Sequence, residues 1–338
     1  MTIREKIYQH ERESLSKYAM LSENTIGREY PIEESDIRTE FMRDRDRITH
    51  SKAFRRLKDK TQVFINPEGS HYRTRLTHTL EVTQLAKTIS RCLALNEDLT
   101  EAIGLGHDLG HTPFGHAGEF AINDYYRDHG MDLSFAHNLQ SVRIVEKLEN
   151  GTGLNLTYEV RDGIRNHKKG MKPMTLEGMA VNYSDRIAYL NHDIDDSLRA
   201  GIITEADLPR EAIQVLGDSY SVRINTMITD IVNNSVGKDR LIMSQEIERA
   251  TDILREFMFE EVYRDSPAKI EEKKVRNIIY LLMDYYLAHP DKLPEDDRGN
   301  IETDGLAVCV TDYIAGMTDK YAVQVFDDLY VPHAWQLL

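Results

Sequence analysis

The sequence predicts an all-α protein, and three observations carry that expectation. Helical periodicity dominates the 338 residues. No segment sustains the two-residue alternation of a half-buried strand. The breaks between periodic runs hold glycine and proline, as in Asn66-Pro67-Glu68-Gly69-Ser70. The clearest single case is His78, Val82, Leu85 and Ile89, whose i, i+4, i+7, i+11 spacing marks one buried helix face with a histidine on it.

Taken in order, a first helix is expected from about Arg4 to Tyr18, then an irregular connection from Ala19 to Ile37 containing Gly27 and Pro31. One long helix is expected from Thr39 to Lys60, and the next from Thr77 to Ala94. Asp98 or Thr100 could cap a helix ending near Leu109, and Pro113 and Gly115 interrupt before another begins near His116. Helices follow over Asn138–Glu149, Tyr158–Asn166 and Thr175–Arg199, the first two separated by Gly151 and Gly153. Beyond Gly201 the pattern stays helical over Arg210–Asn233, Ser244–Val262, Pro267–Ala288 and Asp304–Tyr321. The acidic, proline-containing loop His289–Asp297 is expected to be exposed. No internal repeat is visible, and the chain divides into an N-terminal segment (1–37), a core (38–200) and a C-terminal helical region (201–338) packed on it.

Composition narrows the function. With 41% hydrophobic and 29% charged residues, the chain has the make-up of a soluble globular protein. Only two cysteines, Cys92 and Cys309, are present, so a disulfide framework is not expected and a reducing, cytoplasmic setting fits. The charged N-terminus leads into no signal-like apolar run, and no stretch is apolar enough to cross a membrane. A net charge of −15 argues against a generic nucleic-acid or membrane-surface binder. From Arg38 to Lys60, however, nine Lys/Arg stand against four acids. That segment suits an anionic small molecule, or simply a solvated helix laced with Arg–acid pairs.

The chemistry concentrates in Gly106–Glu119, where three histidines and two carboxylates lie among four glycines and a proline. Burying the adjacent pair His107-Asp108 without a partner would cost several kcal/mol, a cost that a shared metal removes. His78 faces inward on its own helix. Asp185, Tyr189 and Asp193 fall at i, i+4, i+8, an acid–aromatic–acid stripe that makes a poor core and a good wall for a polar pocket. The ligand set is therefore His78, His107, Asp108 and Asp185. Two nitrogens and two oxygens suit Mn²⁺ or Mg²⁺, with Fe²⁺, Zn²⁺, Ni²⁺ or Co²⁺ as further candidates. Open positions would carry a water acidified for attack. His107-Asp-Leu-Gly-His111 imitates the H-E-x-x-H zinc-protease helix, but its acid is one methylene short, and Gly110 and Pro113 disfavour a continuous helix.

Separated H…HD…D ligands resemble the HD superfamily of metal-dependent phosphohydrolases. Within it, the chain resembles the deoxyguanosinetriphosphate triphosphohydrolase-like (dNTP triphosphohydrolase) family. The resemblance runs through Arg38–Ile48, Ala53–Leu57, Lys60–Val63, Tyr72–Val82, the Gly106–Glu119 stretch, His137-Asn138, the Asp185 helix and Tyr313–Asp319. It implies an all-α HD-domain helical core with additional C-terminal helices. The implied activity cleaves a deoxynucleoside triphosphate at the α-phosphorus, giving the deoxynucleoside and inorganic triphosphate. It also implies dNTPs as substrate and as allosteric activator, and a homo-oligomer.

Residue by residue, His116 and Glu119 resemble the family's catalytic dyad, and His137 a further histidine near the reacting phosphate. Arg75, one turn before His78, would hold phosphate oxygens. Gln62 and Val63 resemble the positions that meet the sugar, Tyr189 would lie against the deoxyribose, and Asp193 would accept its 3′-hydroxyl. His111 and His167 lie in or beside the site with no role assigned. Thr112 departs from the proline common in the family, and the shorter chain implies reduced C-terminal regulatory or assembly elements. Two other readings remain: an HD-type nucleotide phosphatase or phosphodiesterase, and a non-catalytic protein that senses dNTPs or binds single-stranded nucleic acid through the Arg38–Lys60 segment.

Overall fold

The protein was analysed as a computed structural model that describes residues 1–62, 72–264 and 269–333. Its first helices are Ile3–Ser14 (α1), Glu40–His50 (α2), Lys52–Arg56 (α3), Arg75–Cys92 (α4), Glu97–Gly106 (α5), His116–Asp128 (α6), His137–Arg143 (α7), Tyr158–Arg165 (α8) and Leu176–Arg199 (α9). Then come Arg210–Leu216 (α10), Tyr220–Ser235 (α11), Gln245–Met258 (α12), Lys269–Ala288 (α13), Glu295–Arg298 (α14), Ile301–Asp304 (α15), Leu306–Ala315 (α16) and Asp319–Tyr330 (α17). Among the described residues the only extended pairing is an isolated antiparallel bridge between Thr61 and Thr74, so the fold is all-α. None of the described helices is long and apolar enough to cross a membrane.

Side-chain caps explain several starts. Thr39, Thr74, Asn96, Thr175, Ser244 and Thr318 each accept a hydrogen bond from a first-turn amide of α2, α4, α5, α9, α12 and α17. The cap of α5 is thus Asn96, not Asp98 or Thr100, because the helix begins two to four residues earlier than expected. Three expected long helices are broken. Ser51 takes extended dihedrals between α2 and α3 and caps the second. Gly217, at φ 108°, separates α10 from α11, and the pair Gly305 and Gly316 bounds α16. The helix expected over Asn138–Glu149 begins at His137 and ends in a π-helical turn, Ile144–Leu148.

Three apolar clusters hold these pieces. The first joins α2, α4, α5 and α8 through Phe41, Ile48, Val82, Ile103 and Ile164. The second joins the outer face of α9 to α10, α11 and α12. The third packs α6 (Ile122, Tyr125, Tyr126) against α13 and α16. α4 lies along both α5 and α9. His78, the His107-Asp108 end of α5 and Asp185 consequently face one interior space. Gly110 lets α7 approach, since a Cβ there would stand 2.4 Å from the His137 carbonyl oxygen. The Arg-rich segment is largely structural: Arg28, from the preceding connection, pairs with Glu40 and Asp44, while Arg38 and Arg45 pair with Asp46 and Asp98.

Candidate active site

Four side chains from three elements converge where a cation would sit. His78 Nε2 lies 3.1 Å from Asp185 Oδ1 and 3.9 Å from Asp108 Oδ2. His107 Nε2 lies 3.4 Å from Asp108 Oδ1 and 3.8 Å from Asp185 Oδ1. Bonds of about 2.0–2.2 Å to one ion put neighbouring ligand atoms at comparable separations. The tautomer is fixed as well. His107 Nδ1 donates to the Gly104 carbonyl at 2.7 Å, which leaves Nε2 as a lone pair, buried and without a hydrogen bond. An orphaned, inward-facing imidazole nitrogen beside two carboxylates fits a divalent metal. Burial raises the Asp185 carboxyl, but the His78 hydrogen bond and the neighbouring His107 bring it to about 2. Asp108 likewise stays well below its ordinary range, because His107, His111 and Arg75 outweigh its burial.

Arg75 does not reach outward. Its guanidinium is 2% exposed and donates to Asp108 Oδ2 at 2.7 Å and to the backbone oxygens of Thr61 and Gln62. It therefore orients a candidate ligand in this structure, where the sequence suggested a phosphate contact. Beside it, Lys60 is buried with no carboxylate partner among the described residues and donates to the His111 and Ala315 carbonyls. Burial, with Arg56 nearby, lowers its ammonium to about 7. Asp319 accepts from the amides of Thr61 and Phe114, each at 2.8 Å, and from the Thr61 hydroxyl. This carboxylate at the start of α17 thus fixes both the loop before α4 and the turn before α6.

That turn is unusual. Phe114 has φ 63°, and Gly115 has φ 59° with ψ −132°, a region that only glycine occupies at low cost. It aims α6 so that Glu119 meets two imidazoles. His137 Nδ1 donates to Glu119 Oε2 at 2.8 Å, and His116 Nδ1 lies 3.4 Å from the same oxygen. Burial raises the Glu119 carboxyl, yet the His116 and His137 hydrogen bonds prevail and hold it far below the usual carboxylate range. His137 is buried and shifted down by that burial, while the His116 side chain is 59% exposed and open to a ligand. The pair read from the sequence is therefore a triad, with Glu119 between two histidines.

The structure brings all four metal-ligand candidates together and sets His116, Glu119 and His137 beside them. Tyr189 is half-buried one turn beyond Asp185, its hydroxyl raised to about 12 by burial and by Asp185. Asp193 is buried a further turn along. Gln62 turns its backbone oxygen to Arg75, and its side-chain oxygen is buried without a hydrogen bond. Val63 lies outside the described residues. Two further histidines line the site, and of these only His192 was not read from the sequence. His192 Nδ1 is 3.4 Å from His78 Nδ1 and its Nε2 is 3.3 Å from Glu81, so it backs a ligand. The His167 ring stands edge-on to His107 with centroids 5.0 Å apart. For His192 the signal was present, since it lies seven residues after Asp185 on the same helix.

Comparison with known proteins identifies the family. Residues 75–190 match the HD domain, and residues 241–328 match a phosphohydrolase-associated domain. The chain is 54% identical, over 99% of its length and 98% of the relative's, to a deoxyguanosinetriphosphate triphosphohydrolase-like protein of Caldanaerobacter subterraneus. It is 48% identical over 98% of its length, and 97% of the relative's, to a protein of the same name from Clostridium tetani. A crystal structure of a phosphohydrolase from Bacteroides thetaiotaomicron superposes with a TM-score of 0.52 at 18% identity, covering 84% of this chain and 68% of that one, a likeness of fold.

Proposed function

From the premise that this chain belongs to the deoxyguanosinetriphosphate triphosphohydrolase-like family of HD-domain proteins, we propose that it is a metal-dependent dNTP triphosphohydrolase. It would release the deoxynucleoside and intact inorganic triphosphate. One observation carries the reading: the orphaned His107 Nε2, facing two carboxylates, lies beside a Glu119 already engaged by two imidazoles. A pure binding site has no use for that second set.

His78, His107, Asp108 and Asp185 would hold the ion, which when bound supplies Lewis acidity toward a water and a phosphate oxygen. The protein's own groups do the rest. Glu119, ionised, orients the Nδ1–H groups of His116 and His137 toward itself and leaves both Nε2 atoms free to handle protons. Exposed His116 is the group placed to protonate the leaving 5′-oxygen or to take a proton from water. Buried His137 stabilises the charge that develops. Arg75 holds Asp108 in its rotamer. Tyr189 would pack on the sugar, and Asp193 and Gln62 would meet its 3′-hydroxyl. We further propose a homo-oligomeric, cytoplasmic enzyme.

Incubation with each of the four dNTPs and Mn²⁺ or Mg²⁺, with chromatography of the products, tests the reading. Deoxynucleoside and intact triphosphate are expected. Release of orthophosphate or pyrophosphate instead would replace it with a nucleotide phosphatase or phosphodiesterase. Absence of turnover together with a dNTP-induced change of oligomeric state would replace it with a sensor.

A further inference from the structure

We propose that His192 and Glu81 act as a positioning pair behind His78, fixing which of its ring nitrogens is offered to the ion. The inference rests on the reading that His78, His107, Asp108 and Asp185 hold a metal. His78 and Glu81 stand at i, i+3 on α4, so both face the same neighbour. That neighbour is α9, which sends the fully buried ring of His192 between them. His192 Nδ1 is 3.4 Å from His78 Nδ1, and His192 Nε2 is 3.3 Å from Glu81 Oε2. A chain of contacts therefore runs from a carboxylate through two imidazoles to the candidate metal centre.

Charge sets the direction of that chain. A ring nitrogen with its lone pair toward Glu81 would be repelled, so the His192 proton belongs on Nε2. That N–H lies off the hydrogen-bond axis of the carboxylate, and its attraction is that of a dipole to a nearby charge. With Nε2 protonated, His192 Nδ1 is an acceptor, and the proton between the two rings belongs to His78 Nδ1. His78 then turns its Nε2 lone pair toward Asp185 Oδ1, 3.1 Å away. A proton or a cation has to lie between two electron-rich atoms at that separation, and a metal ion takes the proton's place. Acting through His192, Glu81 thus presents His78 as a ligand.

His107 shows what the pair replaces. That ring is anchored by its own helix, Nδ1 donating to the Gly104 carbonyl three residues back at 2.7 Å. The Nδ1 of His78 meets His192 instead. Ligating histidines take an oxygen at the rear nitrogen, and here a second imidazole relays one. The relay is itself braced. Arg73 grips Glu81 at 3.1 Å, and Asp195 and Asp196 of α9 at 3.0 and 2.8 Å. The ring of His192 lies against Tyr220 of α11, with centroids 6.1 Å apart. A histidine kept only for packing has no reason to face a carboxylate with one nitrogen and a candidate ligand with the other.

The test is the Mn²⁺ affinity of the whole protein, read from the electron paramagnetic resonance signal of the free ion. His192→Phe, which fills the space but accepts nothing, should weaken binding about 10–100-fold. His192→Asn, whose Oδ1 replaces Nδ1 as the acceptor, should bind close to the wild-type affinity. Glu81→Met should weaken binding as well, and it carries the test if circular dichroism shows a His192 variant unfolded. In the Zn²⁺-loaded protein, nitrogen NMR spectra of isotopically labelled histidine should place the His78 proton on Nδ1 and the His192 proton on Nε2. Equal affinity in His192→Phe and His192→Asn, whether kept or lost, overturns the proposal. Unchanged affinity in Glu81→Met, or the reversed tautomers, does the same. Wild-type affinity in His78→Ala overturns instead the ligand reading beneath it. If His78→Ala abolishes binding while the His192 and Glu81 variants leave it intact, only the positioning pair falls.

Discussion

His107 and His116 sit nine residues apart in one glycine-rich stretch, yet their surroundings assign them separate work. His107→Ala removes the orphaned nitrogen between two carboxylates, so bound metal and turnover should both be lost. His116→Ala leaves the ligand atoms untouched; metal content should be retained while dNTP turnover falls by roughly 10²–10⁴-fold. Unchanged turnover there would remove His116 from proton transfer. Arg75→Lys should weaken Mn²⁺ affinity about 10–100-fold, because an ammonium cannot serve Asp108 and the Thr61 and Gln62 carbonyls from one fork. Metal titration reads this directly, and unaltered affinity would mean that Asp108 holds its rotamer unaided. Individual candidate ligands were legible in sequence because a histidine on an apolar face and an acid–aromatic–acid stripe break the rules of a core. Arg75 was legible as a candidate site residue but not in its contact, since spacing places it beside His78 without saying what it touches. His137 beside Glu119 depends on two helices meeting, which no local pattern encodes.

At the scale of elements, the turn before α6 sets the triad of His116, Glu119 and His137. Gly115→Ala adds a Cβ that would stand 3.2 Å from Arg75 Nη2, at backbone angles strained for any other residue. The substitution should destabilise the fold by about 1–3 kcal/mol and reduce turnover. Thermal unfolding and activity of the folded protein measure the two effects separately; an unshifted melting transition would show that the turn relaxes without cost. Helix existence was legible throughout, because apolar periodicity survives in every long segment. The breaks were less so. Serine is an ordinary helix residue, and Ser51 interrupts α2 and α3 only because its side chain caps the second. Gly217 and Gly305 stop helices through positive φ, whereas Gly104 lies inside α5. Glycine alone does not separate those outcomes.

At the scale of the whole molecule, the buried Glu177 ties α9 to the N-terminal connection by accepting from the amides of Met20 and Asn96 at 3.0 and 2.9 Å. Burial, opposed by those hydrogen bonds, raises its carboxyl from 4.5 to about 7. With the folded value above the unfolded one, this group's contribution to stability is full below pH about 4.5 and is lost as pH rises through about 7. Glu177→Gln should flatten the stability–pH curve in that window by up to ~1.4 kcal/mol per pH unit, measured by urea unfolding. An unchanged slope would exclude Glu177 as the titrating group. The three apolar clusters were not readable in advance, because pattern identifies buried faces but not which face meets which.

The Asp319 link, finally, has a consequence in time. Its carboxylate follows Thr61 by 258 residues and Phe114 by 205, and it supplies the acceptor for both amides. A nascent chain of this protein emerges with the histidines and acids of its centre made long before that acceptor. Until α17 is made, the loop before α4 and the turn before α6 lack their shared anchor. Making α17 therefore locks the centre into place, and a polypeptide truncated before α17 would carry every proposed catalytic and metal-ligand residue yet leave them unfastened.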